Sequence, residues 1–81
     1  MSVTYFVALP FVQAEDGLAP GQPQELPNEH SAIVKAEALA RQPENAGALA
    51  FKRTGDPNMG QFGDALVLRT FGKVPENLDE L

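Results

Sequence analysis

The chain has 81 residues, no cysteine and a formal charge of −5. One domain is the most this length supports, with a small core and a thin stability margin; disulfides, thiolate nucleophiles and cysteine-ligated zinc are excluded, and the single His30 cannot build a histidine-rich metal site. All six basic residues fall between Lys35 and Lys73, bracketed by an acidic front and tail, and this lacks the dense basic face that nucleic-acid binding requires.

The run from Val3 to Val12 is rich in aromatic and β-branched residues, which suits a strand. Tyr5, Val7, Leu9 and Phe11 alternate on one face and Phe6, Ala8 and Val12 on the other, so both faces are apolar. Pro10 cannot donate to a ladder, and regular pairing is expected only before it. No Lys or Arg precedes Lys35, so the run lacks the cationic flank of a signal peptide and is too short to span a bilayer as a helix. It reads as a core strand of a cytoplasmic protein with no membrane association. Residues 13–27 carry three prolines and two glycines and read as a long, irregular connection.

Residues 28–42 form the expected helix. Asn28 is placed to cap it, with Glu29 favourable in the first turn. Ala32, Ile33, Ala36, Leu39 and Ala40 make an apolar stripe at helical spacing, with Val34 off it, and Pro43 stops the helix. Residues 46–53 read as a second strand and residues 65–71 as a third, and the acidic segment 76–81 as a last helical turn or a frayed tail. The predicted fold is a single α+β domain over residues 1–81, a small β-α-β-β unit with one helix packed on a three-stranded sheet. A right-handed crossover through the helix would make the first two strands parallel, and the last two would be antiparallel.

The loop 54–64 holds the densest cluster of candidate site residues. Gly55 and Gly60 have phosphate-loop spacing, but Gln61 and Phe62 stand where Lys and Ser or Thr belong, and a strand follows instead of a helix. Asp56, Asn58 and Gly60 open like a calcium loop, but counting from Asp56 the sixth and twelfth positions are Gln61 and Val67, not Gly and Glu. A loose calcium site from Asp56, Asn58 and Asp64 is weighed against a structured turn, and the turn is preferred. Arg53 and Arg69 could converge across the hairpin and offer forked donors to an anion, but pairing with Asp56, Asp64 or the acidic tail on a solvated surface is the preferred reading. His30 and Ser31 are neighbours on a helix and do not face each other, so no nucleophile–base pair is present and no catalytic residue is assigned.

The segment FKRTGDPNMGQFGDALVLRTFG, Phe51 to Gly72, with its preceding Ala-rich helix resembles short uncharacterised bacterial proteins of similar length. The resemblance implies a small, single-domain bacterial protein. From the residues themselves, the expectation is a non-enzymatic protein-interaction module with no cofactor and no metal. One helix cannot cover Phe6, Phe51, Phe62 and Phe71, so a homodimer through sheet faces or edges is expected, with a further protein partner compatible with the same surface. The alternative is a small anionic-ligand binder using Arg53, Gly55, Asp56, Asn58, Gly60 and Arg69.

Overall fold

The computed structural model describes residues 2–56 and 58–75. Among these residues the fold is α+β, with one helix and an antiparallel sheet of six strands. In chain order the elements are β1 (Val3–Ala14), β2 (Gly17–Pro20), β3 (Gln24–Leu26), α1 (Glu29–Ala40), β4 (Gly47–Asp56), β5 (Gln61–Phe62) and β6 (Leu66–Gly72). The two long strands β1 and β4 pair at the centre. β2 and β3 follow one another along the outer side of β1, and β5 and β6 do the same along β4.

This corrects the expected three-stranded sheet. The Pro/Gly-rich connection of residues 13–27 holds two short strands, both antiparallel to β1. They carry the chain back to the end of the sheet where β1 began. The helix then returns it, and β4 runs antiparallel to β1, from Val3 opposite Gly55 to Phe11 opposite Gly47. The parallel crossover is therefore absent, because the return was already made before the helix. The β4–β6 pair is antiparallel as expected.

Pro10 does not end β1 and is buried at the centre, opposite Ala48. Its carbonyl accepts from the Gly21 amide at 2.8 Å, while the next carbonyl, Phe11, turns to β4 and accepts from Ala46 at 2.8 Å. In an antiparallel ladder the N–H and C=O of one residue point to the same neighbour. The donor that Pro10 lacks would thus face the interval between β2 and β3, where no ladder bond is needed.

The helix starts where Asn28 caps it, with the Asn28 Oδ1 accepting from the Ser31 amide at 2.8 Å. Arg41 follows Glu37 by one turn and bonds it at 3.1 Å. Its buried residues Ala32, Ala36 and Leu39 pack on Ala8, Ala48 and Ala50 of the sheet. Small side chains on both surfaces let the backbones approach closely. Phe6, Leu26, Ile33, Leu68 and Phe71 close the rim of this layer. Val34, off the stripe, is exposed.

Among the described residues no helix lies on the other face of the sheet. Leu9, Phe11, Leu49 and Phe51 are buried there, packed with Val7, Leu18, Ala65 and Val74. The cover at that end comes from β2 and from the segments flanking β6. Residues 76–81, expected as an acidic tail, lie outside the described residues. Among the described residues no helix is long and apolar enough to cross a membrane.

Candidate functional site

Where the described cover of the face opposite α1 runs out, an open groove of about 340 Å³ remains. Its floor follows from strand register. Glu25 of β3 stands opposite Val7 of β1, and Val7 stands opposite Phe51 of β4. One same-face step along, Tyr5 stands opposite Arg53. A further step brings Val3 opposite Gly55, and Gly55 opposite Phe62 of β5. Pro23 completes the wall on the β3 side. The lining is thus mostly aromatic and aliphatic, with one acid and one base on different strands.

The Tyr5 and Phe62 rings lie 5.9 Å apart with their planes tilted by 49°, within the range of favourable aromatic pairs. Phe62 nevertheless keeps 48% of its surface exposed. The Arg53 guanidinium carbon is 6.0 Å from the Phe51 ring centroid, at the outer limit of a cation–π contact. Its Nε atom is buried, and Arg53 makes further interactions within the chain.

The loop residues expected to form a site have conformational tasks. The Asp56 Oδ1 accepts from the Asn58 amide at 3.0 Å, and the Asp56 carbonyl accepts from the Met59 amide at 3.1 Å. Such an arrangement is a side-chain-supported turn. Gly60 has φ of 66°, the left-handed region that glycine enters without steric cost. Gly55 is buried where β5 approaches β4: a Cβ there would come closer than 3.0 Å to the Phe62 ring and the Gln61 carbonyl. Asp64 is exposed, and among the described residues no three His, Cys, Asp or Glu side chains gather into a metal-sized cluster.

Arg53 and Arg69 are not brought together. Arg69 is exposed and stands opposite Ala50, whose side chain belongs to the helix-side core. Arg53 lies three residues further along β4 and lines the groove on the opposite face. Of the expected site residues, Arg53 lines the groove and Gly55 lies beside Phe62 at its end. Phe51 and Phe62, expected as uncovered aromatic surface, belong to the groove as well, while Tyr5, Val7, Pro23 and Glu25 are lining residues that the sequence does not mark as a site. The alternation of Tyr5 with Val7, and of Phe51 with Arg53, was the available signal.

No protein-family model matches the chain, and no curated protein or solved structure shows significant similarity to it.

Proposed function

We propose that the protein is a non-enzymatic interaction module that self-associates through the face of its sheet opposite α1. The observation that carries this reading is the aromatic groove, in which Phe62 keeps nearly half its surface in water beside Tyr5. Apolar surface of this kind gains free energy when a partner removes it from water.

The edges of the sheet are poorer candidates. One is divided into β2 and β3, with Pro20, Pro23 and Pro27 in or beside them. The other, β6, carries a register irregularity opposite Ala50 and Phe51 and an exposed Arg69. Short strands, prolines, bulges and edge charges all discourage strand addition. A small anion held between Arg53 and Arg69 has less support, since the two stand on opposite faces.

Sedimentation equilibrium tests the reading. The expected species has about twice the 8.7 kDa of one chain, and Phe62→Asp shifts it to the monomer without unfolding it. A wild-type chain that stays monomeric at high micromolar concentration would overturn it.

A further inference from the structure

Deepening that self-association, on which it rests, we infer that the groove docks a second copy of the chain about a two-fold axis, with Arg53 of each copy paired to Glu25 of the other. A two-fold interface joins a patch to itself, so the patch must be its own complement. A groove bearing charge of one sign would repel its copy. This groove bears one acid and one base, on β3 and β4, separated by the β1 residues Tyr5 and Val7. Two copies facing each other, related by an axis that bisects the line from Glu25 to Arg53, bring each acid over the other copy's base. The same operation brings Tyr5 and Val7 of one copy against those of the other and carries Phe62, one strand beyond Arg53, over the β3 side of its partner, so the apolar floor and the charges are satisfied together.

The chemistry suits an interface. Guanidinium pairs with carboxylate through forked donors and is more weakly hydrated than an ammonium group, so its transfer out of water is less costly. Arg53 also interacts within its own chain; the guanidinium carries five N–H donors and can serve its own chain and a partner's carboxylate together. The approach of its guanidinium to the Phe51 ring lays the side chain along the groove wall.

Mixing two charge-reversed chains tests the pairing. In Arg53→Glu each groove holds two acids, and in Glu25→Arg two bases, so each variant alone is expected to dimerise at least about tenfold more weakly than wild type. Mixed in equal amounts, they place an acid opposite a base at both contacts, and a heterodimer of near wild-type affinity is expected in sedimentation or native mass spectrometry. If Arg53 and Glu25 served only their own chain, mixing would restore nothing, and that result overturns the inference. So does wild-type dimerisation by both single variants, which would leave the face in use but the pairing wrong. A monomeric wild type would instead remove self-association itself, and this inference with it. Should circular dichroism show that either reversal fails to fold, Arg53→Gln and Glu25→Gln replace them. Each is then expected to weaken the dimer at least about threefold, and the double variant no further than either single one; independent additive losses would overturn the pairing.

Discussion

Gly55 and Phe62 are partners across β4 and β5, so close that a methyl group on Gly55 would lie within 3.0 Å of the Phe62 ring. This contact brings the start of β5 down onto the sheet and holds Phe62 beside Tyr5 at the end of the groove. Gly55→Ala must therefore push β5 away or distort β4. A cost of about 1–3 kcal/mol is expected from overpacking of this kind. At roughly 4–8 °C for each kcal/mol in a domain of this size, thermal melting followed by circular dichroism reads it easily. An unchanged melting temperature would mean that β5 gives way freely.

Gly60 serves the same loop by its backbone alone. Its φ of 66° is left-handed, and a Cβ there would meet nothing within 4 Å. Gly60→Ala therefore tests conformational strain without a clash, and a loss of about 1 kcal/mol is expected. The comparison with Gly55→Ala is informative: Gly60→Ala should spare the Tyr5–Phe62 contact, visible as nuclear Overhauser effects between the rings, and Gly55→Ala should lose it.

Asn28→Ala removes the side-chain oxygen that accepts from the Ser31 amide at 2.8 Å. The loss of an N-cap of this type costs about 1 kcal/mol. Hydrogen exchange should show it first at the amides of the first helical turn, with later turns of α1 following only at global unfolding.

Ala36 and Val34 lie on opposite sides of α1. Ala36 is fully buried against the sheet, whereas Val34 is 53% exposed. Ala36→Leu inserts a larger side chain between surfaces built of alanine, and a loss of about 1–3 kcal/mol is expected. Val34→Ala should stay within about 0.5 kcal/mol of wild type. Equal effects in urea denaturation would contradict the assignment of the helix faces.

Much of the local structure is legible in the residues. The cap at Asn28, the stripe through Ala32, Ala36 and Leu39, and strands near residues 3–12, 46–53 and 65–71 all follow from local spacing and composition. Pro10 and residues 13–27 mislead, and for one reason. Proline is scored locally as a missing donor, but its cost depends on what the donor would have faced. At Pro10 it faces the interval between two short edge strands. Pro20 and Pro23 sit at that outer edge, where a missing donor faces no neighbouring strand.

The candidate site divides in the same way. Glycines, Asp56 and Asn58 crowd the loop 54–64, and that crowding draws attention there. Asp56, Asn58 and Gly60 make a turn, and Gly55 makes room for Phe62. The groove instead assembles from Tyr5, Glu25, Phe51 and Phe62, which no single segment contains. Arg53 and Arg69 show the limit most clearly, since one slip in a strand moves a side chain to the opposite face.

By itself the sequence determined the kinds of element and the side of each that would be apolar, because those depend on neighbours within one turn or one alternation. It also determined that disulfides and cysteine-ligated zinc play no part. Only the tertiary structure decided that β1 and β4 pair antiparallel at the centre and which face of them α1 covers. The return of the chain through β2 and β3 set the first, because the direction of a strand depends on where the chain last turned and not on the residues within the strand.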